Sequence, residues 1–144
     1  MKDEDKQRQL QMAVAQMEAQ RNRLEGLAGQ MRLIETALAE LGETKKALAE
    51  LAKGKKDANI LVPIGSGSYI KAKVEDPENI LVGVGAGVSI EKKIPQAEEI
   101  LKAREEEYTK TIAKLREVME NLSAQMGELN ETAEALAAEL GGRK

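Results

Sequence analysis

Apolar side chains recur along two long stretches of the chain with alternating spacings of three and four residues. The positions of the first stretch, which we call the first seam, are Leu10, Ala13, Met17, Gln20, Leu24, Leu27, Met31, Ile34, Leu38, Leu41, Lys45, Leu48 and Ala52. The positions of the second seam are Leu101, Glu105, Tyr108, Ile112, Leu115, Met119, Leu122, Met126, Leu129, Ala133, Leu136 and Leu140. Because a 3.5-residue repeat keeps one stripe facing one partner, both stretches are predicted to be coiled-coil helices.

The two predicted helices cover residues 6–53 and 95–140 and are similar in length. Pro95 suits the first turn of a helix, where its missing N–H leaves no hydrogen bond unmade. Gly141 and Gly142 favour an end of the second helix. Equal lengths joined through a short middle segment favour an antiparallel pair. Gln20 and Lys45, the polar positions of the first seam, are typical of residues that set the register of a coiled coil.

The middle segment, residues 60–93, contains an internal repeat. The stretch ILVPIGSGSYIKAKV begins at Ile60 and ILVGVGAGVSIEKKI begins at Ile80, and seven of the fifteen aligned positions are identical. Each copy is an apolar run, a G-x-G turn and a second run with partial alternation, which is typical of a β-hairpin. The predicted fold is α+β and mainly helical. It is one elongated unit, residues 1–144, in which two β-hairpins are inserted at the base of a long antiparallel two-helix coiled coil.

These hairpins carry more apolar surface than they can bury by themselves. An isolated two-stranded hairpin is at best marginally stable in water, and a free strand edge is a template for pairing with another chain. We therefore expect the hairpins to form a β-barrel between subunits, since a closed barrel has no free edges. The residues predicted to form this oligomerisation surface are Ile60, Leu61, Val62, Ile64, Ile70, Val74, Ile80, Leu81, Val82, Val84, Val88 and Ile90.

Composition then removes several classes of function. The chain has no Cys and no His, so thiolate nucleophiles, zinc–thiolate sites and the usual general base are missing. We predict no enzyme, and no catalytic, metal-binding or cofactor-binding residues. The net charge of −3 with mixed signs provides no basic face for nucleic acid. No apolar run approaches the roughly 20 residues of a membrane span, so we expect a soluble cytoplasmic protein without a membrane partner.

The glycine-rich stretch GVGAGV, residues 83–88, has a second interpretation as a dinucleotide-binding loop. That fingerprint requires a third glycine where Val88 stands, followed by a helix that receives the pyrophosphate. The following residues, SIEKK, instead favour a strand. The glycines are therefore assigned to a hairpin turn, and no cofactor is predicted.

The far ends of the two helices leave two interpretations open. Met12 and Val14 are apolar residues that lie outside the first seam. Near the end of the second helix, the stretch ETAEALAAELGG has alanines at several positions outside the seam, where polar residues would be usual. One interpretation is a frayed coiled-coil end that binds nothing. The other is a pair of splayed ends that present an adaptable apolar patch, because Met side chains conform to varied partners.

The middle segment resembles the α class of prefoldin subunits in its archaeal form. The resemblance is carried by LVPIG and YIKA in the first copy and by VGVGAGV in the second, and nearly the whole chain follows the family pattern. The α class has two hairpins where the β class has one. The resemblance implies a heterohexamer of two α and four β subunits, whose hairpins form a double β-barrel. Its coiled-coil arms would hold non-native proteins without ATP, for transfer to a group II chaperonin.

The resemblance also assigns client binding to the helix ends. The residues expected to bind clients are Leu10, Met12, Val14, Met17, Leu129, Ala133, Leu136 and Leu140. Two alternatives stay open. One is a structural coiled-coil protein that spaces or tethers folded partners. The other is a prefoldin-like homo-oligomer that forms filaments.

Overall fold

The computed structural model describes residues 2–141 and has six regular elements. They are α1 (Asp3–Lys53), β1 (Asn59–Gly65), β2 (Ser68–Lys73), β3 (Asn79–Gly85), β4 (Val88–Lys93) and α2 (Ile94–Gly141). The strands form two separate antiparallel hairpins, β1–β2 and β3–β4. The predicted fold class, two long helices with two hairpins between them, is confirmed.

The helix ends follow simple electrostatics and hydrogen bonding. The first turn of α1 contains Asp3, Glu4 and Asp5, whose carboxylates are favoured at the positive end of the helix dipole. Helix α2 begins directly after β4, and the backbone N–H of Ile94 donates to the carbonyl oxygen of Glu78 at 3.1 Å. It continues through Gly141, while Gly142, the other residue predicted to end it, lies outside the described residues.

The chain divides into two compact units. The central unit is Ala37–Tyr108 and contains both hairpins. The terminal unit combines the described residues up to Thr36 with those from Thr109 onward.

In the terminal unit the two helices pair through the predicted seams. The buried apolar side chains of this unit are Ala13, Ile112, Leu122, Ala133 and Leu136. Gln20 Nε2 donates to Gln125 Oε1 at 3.1 Å, so this polar seam position has a partner on the other helix. A second link joins Lys6 to Glu139, at 3.0 Å. Since low residue numbers pair with high ones at both links, the helices of this unit run antiparallel.

In the central unit the helices and the second hairpin share one hydrophobic core. Its buried members are Leu41, Leu48, Val82, Ile94, Ala97 and Leu101, with Leu51, Ile80, Ile100 and Tyr108 packed around them. Lys45 Nζ lies 2.9 Å from Glu105 Oε2, so the charged positions of the two seams pair with each other. Both side chains are about two-fifths exposed, which makes the pair a modest contributor to stability.

The last position of the first seam differs from the prediction. The seam pattern assigned Ala52 to the interface, but Ala52 is exposed and Leu51 packs against the core instead. From Leu48 the next inward position is three residues on, because this end of α1 packs in a globular core that includes a hairpin. Only a coiled-coil partner requires the strict 3.5-residue repeat.

The two hairpins have the same register and the same turn. Two residues connect the strands of each hairpin, Ser66–Gly67 in the first and Ala86–Gly87 in the second. All four have positive φ, at 51° and 73° in the first hairpin and 50° and 75° in the second. Positive φ at both central residues is the type I′ turn, whose twist matches that of the flanking strands. A register shift just before each turn marks a β-bulge.

A carboxylate organises the link between the hairpins. Asp76 Oδ1 accepts from the backbone N–H of Glu78 at 3.0 Å and of Asn79 at 3.3 Å, and Oδ2 accepts from Asn79 Nδ2 at 2.9 Å. The Asn79 side chain, followed by the Glu78 backbone, lowers the pKa of the Asp76 carboxyl below its ordinary value. The ionised form of Asp76 thus stabilises the turn that separates the two hairpins.

Candidate functional site

Both hairpins expose large apolar side chains, and we call these residues together the hairpin surface. Its members are exposed between 37% and 74%: Ile60, Leu61, Val62, Ile64, Tyr69, Ile70, Leu81, Val84 and Val88. Scattered exposed apolar residues are ordinary, but nine within four short strands are a local concentration of exposed apolar surface. Such concentrations are typical of interaction surfaces.

The first hairpin is exposed on both of its faces. Alternate residues of a strand point to opposite faces, so Ile60 and Val62 lie on one face and Leu61 on the other. All seven residues of β1 are exposed, and of the six residues of β2 only Ala72 is half-buried. Both faces of this hairpin therefore present apolar groups to water.

The second hairpin has only one face exposed. Ile80 and Val82 point toward the helices and pack in the central core, whereas Leu81 on the opposite face is 74% exposed. The Arg104 guanidinium of α2 donates to the carbonyl oxygen of Gly83, which adds a polar link between this hairpin and the helix. An open cleft of about 310 Å³ beside this link is lined by Leu81, Tyr108 and neighbouring residues.

The predicted oligomerisation residues fall into three groups. The exposed ones are Ile60, Leu61, Val62, Ile64, Ile70, Leu81, Val84 and Val88. The half-buried ones are Val74, Ile80 and Ile90. The remaining one, Val82, is 6% exposed and belongs to the core of its own chain. Val82 lies on the same face of β3 as Ile80, and this face packs against the helices. A substitution at Val82 would therefore disturb the fold of the chain itself, in addition to any effect on contacts between subunits.

The terminal unit has a smaller exposed apolar surface. Met12 and Val14 are 58% and 51% exposed. Val14 also lines a hollow of about 230 Å³, together with Met17 and Ala133 and with the polar side chains of Glu18, Arg21 and Asn130. We call Met12, Val14 and this hollow the terminal surface.

The other six residues predicted to bind clients lie in the seam. Leu10, Met17, Leu129 and Leu140 are half-buried, and Ala133 and Leu136 are buried. The helix ends are therefore paired in this structure rather than splayed. Of the eight predicted residues, Met12 and Val14 are the ones exposed to a partner without any opening of the seam.

Sequence reasoning missed two residues that bear on these surfaces. Tyr69 is 61% exposed on β2, opposite Pro63, and a pattern of aliphatic residues does not include it. Lys6 is buried in the seam, with an exposed fraction of 9%. The signal was present, since Lys6 lies four residues before Leu10 and continues the spacing of the first seam by one position.

Neither helix, over the part of the chain that the structure describes, has a segment apolar enough to cross a membrane.

Comparisons with known proteins agree on one family. The family model of prefoldin subunits matches residues 20–139. The chain is 33% identical to prefoldin subunit alpha of Methanosarcina acetivorans over 132 residues, which cover 90% of this chain and 89% of that protein. Prefoldin subunit alpha of Methanoregula boonei is 32% identical over 105 residues, covering 73% and 68% respectively.

A solved structure has the same fold. A chain of filamentous PFD from Methanocaldococcus jannaschii, determined by cryo-electron microscopy, superposes with a TM-score of 0.71 over 81% of this chain and 97% of that chain. The sequence identity is 22%, so this likeness concerns the fold alone.

Proposed function

Because this chain belongs to the prefoldin family, as an α-class subunit, we propose that it is one subunit of a cytoplasmic, ATP-independent holdase. Prefoldin is a family of chaperones rather than of enzymes. In the proposed mechanism the hairpin surface joins subunits, the terminal surface captures unfolded proteins, and the captured proteins pass to a group II chaperonin.

The hairpin surface is the observation that supports assembly most directly. Leu61 is 61% and Leu81 is 74% exposed, and the first hairpin has apolar groups on both faces. Burying such side chains is favourable by about 1.5–3 kcal/mol each. Strand edges of neighbouring subunits would also pair their unbonded N–H and C=O groups. The proposed partners are β-class prefoldin subunits, in a hexamer of two α and four β chains.

The terminal surface supports client capture. Met12 and Val14 offer flexible and branched apolar groups beside charged residues such as Glu18 and Arg21. This mixture suits unfolded segments, which expose apolar side chains within a polar backbone. No nucleotide is required, because capture depends on apolar contact alone.

A filament of α-type subunits is the second candidate assembly. It is favoured by the fold likeness to a chain of filamentous PFD. Measuring the mass of the purified chain, alone and mixed with a β-class subunit, distinguishes the two. A hexamer that forms only in the mixture supports the first candidate, and long polymers of the chain alone support the second.

The client assignment is tested with matched surface variants. We expect the double variant Met12→Ser/Val14→Ser to lose most of its ability to suppress aggregation of a heat-denatured client, measured by light scattering. Leu33→Ser is the control, because Leu33 is also on α1 and is 74% exposed but lies outside the terminal surface. Both variants should keep the assembly mass. Equal suppression by the double variant and the wild type would refute the client assignment.

The assembly assignment is tested with a charge on each hairpin. Leu61→Asp and Leu81→Asp place a carboxylate on exposed positions, so the chain should still fold while the mass falls to that of smaller species. Helical circular dichroism checks the fold, and mass photometry or sedimentation measures the assembly. An intact assembly in both variants would contradict the role of the hairpin surface.

A further inference from the structure

A charged side chain is buried at the end of the seam, where an apolar one would be expected. Lys6 is 9% exposed, and its Nζ lies 3.0 Å from Glu139 Oε2 on the other helix. The Glu139 side chain is 55% exposed, so the carboxylate lies at the boundary with water. We call this contact the terminal ion pair.

A buried ammonium group at this position is stable only while it is paired. Removing a charge from water is unfavourable, and a pair recovers this free energy only if both partners stay in place. An aliphatic residue at position 6 would pack in the seam with no such requirement. The terminal ion pair therefore adds a charge-dependent contact to the apolar contacts that close this end of the seam.

That contact lies next to the apolar residues that clients would need. Leu10 follows Lys6 by one helical turn, and Leu136 and Leu140 flank Glu139 on α2. All three are buried or half-buried while the ends are paired. If Glu139 withdraws, the Lys6 ammonium is left buried without its carboxylate unless its side chain turns out of the seam toward water. The ends of the helices would then separate and uncover these leucines.

We infer that the terminal ion pair controls exposure of the client-binding surface. With the pair formed, the surface is limited to Met12, Val14 and the adjoining hollow. With the pair broken, the seam residues Leu10, Leu136 and Leu140 join it and provide a larger apolar area for an unfolded segment. This inference rests on the proposed holdase function and specifies how its binding site is regulated.

Two opposite substitutions test the inference. Lys6→Met keeps a long, flexible side chain but removes the charge, so the ends should stay paired. Glu139→Gln keeps the size and the helix propensity but leaves Lys6 buried without its carboxylate, so the ends should open. The exchange Lys6→Glu/Glu139→Lys should restore the wild-type behaviour, and Glu131→Gln, an exposed carboxylate on the same helix, is the matched control.

The opening is measured by the distance between spin labels on the assembled full-length protein. The chain has no cysteine, so cysteines introduced at the exposed positions Gln9 and Ala137 can be labelled specifically. We expect a single short distance in the wild type, in Lys6→Met and in Glu131→Gln. In Glu139→Gln we expect a several-fold larger fraction of long distances.

Client holding is measured separately on the same proteins. Glu139→Gln should suppress client aggregation at lower concentration than the wild type, and Lys6→Met should require a higher concentration. Identical distance distributions in Lys6→Met and Glu139→Gln would overturn the inference. So would opening without any change in client holding when the wild type does suppress aggregation. If even the wild type fails to suppress aggregation while the distances still respond, the proposed holdase function fails and the control of the helix ends stands.

Discussion

The two hairpins are built from nearly the same sequence but have different surroundings. Ile60 and Val62 of the first copy correspond to Ile80 and Val82 of the second. Val62 is 38% exposed, whereas Val82 is 6% exposed in the core with Leu48 and Leu101. The same residue types at the same register are thus buried in the chain's own core in the second hairpin and exposed in the first.

The chain connections explain this difference. Strand β4 runs directly into α2, so the second hairpin is held against the helix that follows it. The first hairpin is separated from α1 by residues 54–58. Repetition of the hairpin sequence therefore does not repeat its role, because burial depends on which elements the chain connections place beside each hairpin.

The largest expected effect comes from truncating the two equivalent valines. Val82→Ala removes two methyl groups from the core and should lower the free energy of unfolding by about 2 kcal/mol. Val62→Ala should lower it by less than about 0.5 kcal/mol in the unassembled chain, because Val62 is already partly in water. Urea denaturation followed by circular dichroism measures both.

Protein concentration is the control for this pair. In the assembled state Val62 is proposed to lie in an interface. As the protein concentration rises and the chain assembles, Val62→Ala should therefore lose more stability, and its loss should approach that of Val82→Ala. Equal losses of stability at low concentration would mean that the first hairpin also packs in a core.

A smaller effect is expected from the turns. Ala86 has φ at 50°, a conformation that is unfavourable for a residue with a β-carbon by roughly 1 kcal/mol. Ala86→Asn creates the Asn-Gly pair preferred in type I′ turns and should stabilise the chain by about 0.5–1 kcal/mol. Ser66→Asn makes the same pair in the first hairpin.

The two turns have the same geometry, so the two variants make the same local change in each hairpin. Any difference between their effects then reports the different surroundings of the hairpins. Ala86→Asn should raise the midpoint of global unfolding, since the second hairpin belongs to the core. Ser66→Asn should instead slow amide hydrogen exchange in β1 and β2, with little change in the global midpoint. A larger midpoint shift for Ser66→Asn would reverse the assigned roles of the hairpins.

The smallest effect concerns the link between the hairpins. The pKa of Asp76 is lowered in the folded chain from an ordinary value of about 3.8. Its ionised form therefore contributes stability that is fully present above about pH 4 and is lost as the pH falls through the lower, folded-state value. Asp76→Asn should remove this part of the acid dependence, and acid titration of thermal unfolding in both proteins measures it. If the midpoint of thermal unfolding falls equally with acid pH in both proteins, the hydrogen bonds at Asp76 contribute nothing measurable to stability.

Periodicity in the sequence predicted the helices well, because a coiled-coil seam depends on residues close together along one chain. All predicted seam positions except Ala52 are buried or half-buried. Ala52 failed because the strict repeat ends where the second hairpin joins the second helix in the core against which this end of α1 packs. The hairpins and their turns were predicted for the same local reason, since G-x-G at that spacing favours positive φ.

The candidate sites were harder to predict. The apolar runs selected Leu61 and Leu81, which are exposed, but they could not separate Val62, which is also exposed, from Val82, which lies in the core. At the helix ends the pattern selected Leu10, Leu136 and Leu140, which the structure pairs in the seam, and it passed over Lys6. The spacing of the first seam extends to Lys6, but apolarity alone gives no reason to continue a seam into a charged residue, and only the structure shows Glu139 as the partner that makes this burial tolerable.

By itself the sequence determined the elements of this protein: two seams, two hairpins, the turns between them and the family to which they belong. These are local properties, set by spacing and by the conformations that each residue allows. Only the tertiary structure decided which hairpin lies in the core, which apolar residues stay in water and which charges meet across the helices. Those outcomes depend on residues that are distant along the chain, and no local pattern records which of them become neighbours.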